Sequence, residues 1–245
     1  MATGDPLDRD RASEWFVPRF GSKRFRTAVG LLFLPYTGMV LSFCVIGSML
    51  SPVIHWDRVG AMVLIYFLGL GIGAHALDAL GSREKKPWGD VFTRRQLWLS
   101  AGSSLAAAYL IALYYIIRYV PLLALIAVVE GFFVFAYNLE WFKGRFHTDN
   151  WFAFSWGFVP VTAGYAIQTN AVSFSALAAA LSMALFSLVE IKASRPYKEL
   201  RRRGSELEEA EKTVMTRYET ILKGISLGVI ALGFGLLLFR LSLAH

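Results

Sequence analysis

The chain has 245 residues, 56% of them hydrophobic and 18% charged, with a mean hydropathy of +0.48. A soluble domain of this length does not carry that much apolar surface, so the composition excludes an ordinary soluble enzyme and points to a polytopic membrane protein. The net charge of +7 would suit nucleic acid, but the basic residues are dealt out loop by loop rather than gathered in one patch, and no nucleic-acid partner is expected.

Residues 1–27 form a polar, charged segment without the apolar core and cleavage site of a secretory signal peptide. Trp15, Phe16, Phe20 and Phe25 alternate there with Arg19, Lys23, Arg24 and Arg26, a mix that suits either an element lying on lipid headgroups or a partly ordered tail. From residue 28 onward the sequence predicts one membrane domain, 28–243, with seven spans at 28–50, 59–81, 97–117, 119–138, 151–168, 171–191 and 220–243. A span needs about 20 mostly apolar residues. In lipid each backbone group must bond within its own segment, so the spans are helices and the fold class is all-α. Cys44 lies in the first apolar run; as the one cysteine it offers no intrachain disulfide and reads as packing.

The loops carry the orientation. The N-terminal segment is basic, and so are the second loop (Arg83, Lys85, Lys86, Arg94, Arg95), the fourth (Lys143, Arg145) and the sixth (Lys192 to Arg217). The first and third loops hold one arginine each, Arg58 and Arg118, and the fifth holds none. The positive-inside rule then expects a multi-pass protein of the cell membrane with its N-terminus in the cytoplasm and its C-terminus outside. Between about 195 and 218 the sixth loop reads as a solvated, charged helix, able to pair Arg201, Arg202 and Arg203 with the following glutamates and to offer a docking surface to a protein partner.

Ionisable residues within spans are costly and usually face the bundle interior. They are His75, Asp78, Glu130 and Glu190, with Gln168 as a neutral polar candidate. Under this topology all four ionisable groups lie toward one membrane face. His75 and Asp78 share a helix face, as do Asp78 and Ser82, and Glu190 and Ser194. Carboxylates beside oxygen-bearing neighbours suit Mg²⁺, which takes one or two carboxylates plus substrate phosphates. Arg83, Lys86, Lys143 and Arg195 would grip those phosphates. The plain alternatives are hydrated helix ends for Asp78 and Glu190, a core histidine for His75, and an interhelical hydrogen bond for Glu130.

Three segments resemble the UbiA-type intramembrane prenyltransferases. The first is HALDALGSREKKPW at 75–88, where the family has an NDxxDxxxD motif followed by a basic Lys-Pro segment; anchoring on Lys86-Pro87 puts Asp78 on the middle acid and Ser82 on the last. The second is 136–168, with Tyr137 at a span end, Lys143 in a basic turn, and Gly157, Pro160 and Gly164 punctuating the next span. The third is SLVEIKASRPYK at 187–198, where Glu190 and Ser194 fall on the family's second acidic motif. The resemblance implies a UbiA-like helical arrangement and transfer of a prenyl group from an isoprenoid diphosphate at the cytoplasmic face. It implies His75, Asp78 and Glu190 as catalytic residues, and Asp78, Glu190 and Glu130 as Mg²⁺ ligands. Arg83, Lys86, Lys143, Arg195 and Tyr137 would hold phosphate. The bundle interior, with Phe132, Phe133, Phe135 and Trp156, would take the chain.

The departures keep two other readings open. Each acidic motif retains one acid, and the family usually has nine spans rather than seven. A non-catalytic lipid- or quinone-binding or assembly subunit on the same fold is the first alternative. A transporter using Glu130 and His75 as proton-relay groups is the second.

Overall fold

The structure, a computed structural model, describes residues 14–81, 91–204 and 207–243. Among these the chain is all helix and turn, without strands. Five helical stretches are long and apolar enough to cross a membrane: Lys23–Met49, Trp56–Gly81, Arg94–Arg118, Phe174–Arg203 and Glu209–Ser242. This is the architecture of a multi-pass membrane protein. Of the seven spans expected from sequence, the other two take different forms. Helix α6 (Leu123–Asn138) is apolar but has 16 residues, because the turn at Tyr119–Leu122 uses up the start of the predicted span. The segment predicted at 151–168 is a composite of α7 (Asp149–Ala153), a π-helical turn (Phe154–Phe158) and α8 (Val159–Thr169).

The first membrane stretch is broken. Helix α1 (Lys23–Leu32) starts on the Ser22 cap, whose side chain accepts from Phe25 N–H. It ends at Phe33, which adopts φ 43°, and α2 (Leu34–Met49) begins with Pro35 in its first turn. Proline lacks the N–H that a continuing helix would need, so the chain restarts there. The second stretch is α3 (Trp56–Tyr66), a π-helical segment (Phe67–Ala74) and α4 (His75–Gly81). Helix α5 (Arg94–Arg118) opens with a capping box between Thr93 and Gln96. Helix α9 (Phe174–Arg203) runs 30 residues and turns at Gly204, φ 57°, into α10 (Glu209–Ser242). The charged stretch at 195–218, read from sequence as one helix, is therefore divided between the end of α9 and the start of α10. Arg203 closes that turn on Glu211 with contacts of 2.5 and 2.9 Å.

In lipid the hydrophobic effect does not drive helices together, so they associate by close packing through small residues. Helices α2 and α8 show this best. A Cβ on Gly164 would strike the Cys44 carbonyl, and one on Gly47 the Val161 carbonyl. Cys44 itself is fully buried, as its packing role required. Helix α10 crosses α2 where Gly233 meets Ser42, and lies along α9. On the other flank α5 packs against α3, its π segment and α4, and α6 fits between α5 and α8.

One end of the bundle is sealed by side-chain hydrogen bonds to backbone. Gln168 accepts from His55 N–H at 2.7 Å and donates to the His55 carbonyl at 3.3 Å. Arg58 donates to the Ile167 and Gln168 carbonyls, Asn170 caps Leu122, and Arg240 donates to the carbonyls of Ser51 and Pro52. Gln168 is thus committed to holding two hairpins together.

Candidate functional site

The opposite end of the bundle opens into a cavity of about 1100 Å³, the space at its mouth included. The start of α2, the first half of α4, the end of α6, α7 with its π turn, the second half of α9 and one turn build it. His75 and Asp78 come from α4, Tyr137 and Asn138 from the end of α6, and Glu140 and His147 from the following turn. Phe152 and Trp156 come from α7 and its π turn, and Glu190, Ser194, Arg195, Lys198 and Arg202 from α9. Tyr36 lies at the start of α2 and Phe33 just before it.

Local geometry explains how these groups arrive. Two π-helical segments flank the cavity, and a π turn inserts one extra residue, which rotates the next helical turn about the axis. The Phe67–Ala74 segment precedes His75, and Phe154–Phe158 contains Trp156. At Gly81 a Cβ would collide with the Asn138 carbonyl, so the absence of a side chain lets the end of α4 rest on the end of α6. Similarly Gly157 lies against the α9 backbone at Ala184, which brings Trp156 toward the helix that carries Glu190. On α9 the residues 191, 194, 195, 198 and 202 have helical spacing and share one face.

The walls are aromatic and the rim is charged. Tyr36 stacks on Phe152 with centroids 5.2 Å apart, and Phe152 on Trp156 at 5.9 Å. His75 lies edge-on to Phe33 and Tyr36, each at 6.3 Å. Its Nδ1 is 3.0 Å from the Gly71 carbonyl. A carbonyl only accepts, so Nδ1 carries the proton. Tyr137 stacks on His147 at 4.4 Å, and His147 Nδ1 reaches the Tyr137 carbonyl at 3.0 Å. Glu190 is 3% exposed; its Oε2 and the neighbouring Ser194 Oγ are buried without a hydrogen-bond partner among the described residues. Arg195 is held from outside the cavity by Asp149, at 2.9 Å.

Of the residues singled out in the sequence, His75, Asp78, Tyr137, Glu190 and Arg195 line this one cavity. Lys143 does not. It sits exposed in the 3₁₀ turn Trp141–Gly144 with φ 61°, between Phe142 at φ 56° and Gly144 at φ 77°. Glu130 does not either: it accepts from Tyr66 Oη at 2.7 Å and faces a different, apolar cavity. Ser82, Arg83 and Lys86 lie outside the described residues. Of the aromatic residues assigned to a chain tunnel, Trp156 lines the cavity. Phe132 and Phe133 instead pack with Phe146, and Phe135 stacks on Trp141.

Sequence reasoning missed Tyr36, Asn138, His147, Lys198 and Arg202 as lining residues, and Asp149 as the partner of Arg195. Lys198 and Arg202 were recoverable. They continue the spacing of Glu190, Ser194 and Arg195 by further turns, had the helix been carried past residue 191. His147 was not, because it reaches Tyr137 through a turn with left-handed backbone at Glu140, Phe142 and Lys143 that the sequence does not announce.

Among the described residues no group of three or more His, Cys, Asp or Glu side chains is gathered closely enough to hold a metal ion by itself. Asp78 and Glu190 line the cavity together with Glu140, and one or two carboxylates are the donor set that Mg²⁺ uses when phosphate supplies other oxygens. Comparison with protein families, with curated proteins and with solved structures returned no match.

Proposed function

We propose that this cavity binds the phosphorylated head of an isoprenoid lipid, and that the chain is a divergent prenyltransferase of the UbiA type. One observation carries the reading: residues picked from three separated sequence segments, His75 and Asp78, Tyr137, and Glu190 with Arg195, line the same cavity. Two further cations, Lys198 and Arg202, and a second imidazole, His147, stand beside them. Together with Arg195 the two cations make three cationic donors for a multiply charged anion, on a cavity that also carries the carboxylates of Asp78, Glu140 and Glu190. By the loop charges, the cavity faces the cytoplasm.

In this reading Arg195, Lys198 and Arg202 bind the diphosphate, with Tyr137 as a neutral donor. Asp78 and Glu190 would hold Mg²⁺ against it, and the unpartnered Glu190 Oε2 fits that duty. When bound, the ion would neutralise charge on the departing diphosphate. Phe33, Tyr36, Phe152 and Trp156 offer π faces at the reacting end of the prenyl chain, where positive charge develops as the C1–O bond breaks. The bond's electron pair leaves with the diphosphate, the acceptor's nucleophilic atom attacks C1, and the acceptor's proton passes to a base. His75 fits that last role by its position in the cavity.

The second reading is binding without catalysis, on the same cavity. It is favoured by the donor set: Arg195, Lys198 and Arg202 can hold a phosphate without a metal, and the carboxylates of Asp78, Glu140 and Glu190 are not gathered closely enough to hold a metal by themselves.

Binding of geranylgeranyl diphosphate to detergent-solubilised protein, with Mg²⁺ and with chelator, separates the two. Binding that requires Mg²⁺ and is abolished in Asp78→Asn supports the transferase. Tight binding indifferent to both supports the metal-free lipid site. No binding under either condition removes the anion assignment.

A further inference from the structure

A second cavity of about 70 Å³, set in about 540 Å³ of space when its open side is included, lies between α3 with its π segment, α5, α6 and Ala163 of α8, and shares no lining residue with the first. We propose that it is a binding site, entered from the lipid, for an uncharged membrane amphiphile with a hydroxyl head, of the phenol or alcohol class.

Depth comes first. Glu130 lies in the middle of α6 (Leu123–Asn138), so at about 1.5 Å per residue it stands roughly 10 Å or more from either helix end. A carboxyl so far inside an apolar helix is expensive and is retained for a partner or a ligand. Tyr66 accounts for one oxygen, donating to Oε1 at 2.7 Å. The second oxygen takes no hydrogen bond from the described residues.

The void itself argues against a purely structural pair. A hydrogen bond between α3 and α6 needs no empty space around it, and large aliphatic side chains would pack it shut. Here the walls are cut back to Gly69, Ala108, Ala112, Ala127 and Gly131. Tyr109 Oη donates to the Ala127 carbonyl at 2.9 Å, crossing above Gly131, where a Cβ would strike that hydroxyl. The result is an apolar chamber with one carboxyl facing it, the usual make-up of a small-molecule site.

The same facts define the head group. The chamber is bordered by apolar membrane helices, so its ligand arrives through hydrocarbon, which a permanent charge resists. A hydroxyl partitions into lipid, and it both donates and accepts. It can therefore pair with Glu130 whether the carboxyl is ionised or protonated, while its apolar body fills the space beside Met62, Leu105 and Ile126.

The test uses full-length protein in lipid nanodiscs and a photoactivatable 4-alkylphenol carrying an alkyl diazirine, with adducts mapped by peptide mass spectrometry. Adducts are expected on 65–70, 105–112 and 126–134. Excess 4-hexylphenol should reduce them at least tenfold, while its methyl ether, which cannot donate, should not. Ala127→Phe, which fills the chamber from a half-exposed wall, should reduce labelling by a similar factor. The ether comparison needs no variant and stands if Ala127→Phe folds poorly. Adducts spread evenly over the lipid-facing helices, or equal competition by the ether, would overturn the proposal. Because the first cavity shares none of these walls, loss of geranylgeranyl diphosphate binding and loss of phenol labelling are separately readable.

Discussion

Arg195 Nε lies 2.9 Å from Asp149 Oδ1, tying the cavity-facing stretch of α9 to the first turn of α7. Lys192 reaches the other oxygen of the same carboxylate at 2.9 Å. The Arg195 contact is coulombic rather than an aligned hydrogen bond, since Oδ1 is buried without a hydrogen-bond donor by angle. Asp149 also stands where a helix N-terminus favours negative charge, just after the Thr148 cap. One carboxylate thus balances two cations and a helix dipole.

Asp149→Asn should therefore cost stability without emptying the cavity. Lys192 and Arg195 are each about half exposed or more, so solvent screening limits the loss to about 1 kcal/mol. The check is thermal unfolding in detergent followed by tryptophan emission. A loss several times larger would mean that the pair supports packing beyond its own charge.

The rim cations should divide cleanly. Lys198→Ala combined with Arg202→Ala removes two charges from the cavity and should weaken geranylgeranyl diphosphate binding at least tenfold, with the wild-type affinity falling as salt is raised. Lys143→Ala should leave affinity within about twofold, because that side chain stands outside the cavity. Equal effects from both changes would mean that general surface charge, not this face of α9, holds the ligand.

How far the sequence revealed the site depends on what each residue needed. His75, Asp78, Tyr137, Glu190 and Arg195 each sit near or just past the end of a span predicted from the sequence, and alternating spans put those ends on one side of the membrane. Counting hydrophobic runs is enough for that much. Glu130 needed more. Its depth was readable, but a helix position alone does not say whether it faces α4 and α9 or Tyr66 on α3. The π segments at Phe67–Ala74 and Phe154–Phe158 leave no mark in hydropathy, yet they set the rotation of His75 and Trp156. The span predicted at 171–191 ends where the sequence turns polar, whereas α9 runs on through Pro196. The helix accommodates that proline and continues to Arg203.

Glycine substitutions test the packing directly. Gly164→Val places side-chain atoms against the Cys44 backbone, which has no rotamer to move aside. Helices α2 and α8 would have to separate, giving a loss of several kcal/mol or no folded protein at all. Gly60 is the control: it is an exposed residue in α3, and a Cβ there meets nothing within 4 Å. Gly60→Ala should raise stability by about 0.5–1 kcal/mol from helix propensity alone. Unfolding temperature and monodisperse yield read both changes, and a Gly164→Val protein as stable as wild type would refute the close approach of the two backbones.

The last prediction concerns the sealed end. Gln168→Leu leaves the His55 N–H and carbonyl without the side-chain amide that now pairs with both. Two backbone groups lose partners beside a buried apolar side chain, at a cost of about 1–3 kcal/mol. Arg58 still holds the Ile167 carbonyl at 3.1 Å, so the hairpin should loosen rather than detach. The cavity lies at the other end of the bundle, and diphosphate affinity should stay within about twofold of wild type once the folded fraction is counted. Hydrogen exchange should rise at residues 52–58 and 166–171 and stay unchanged along 188–202. If affinity falls with the local opening, the two ends are coupled through α8 and α9, and Gln168 belongs to the binding apparatus after all.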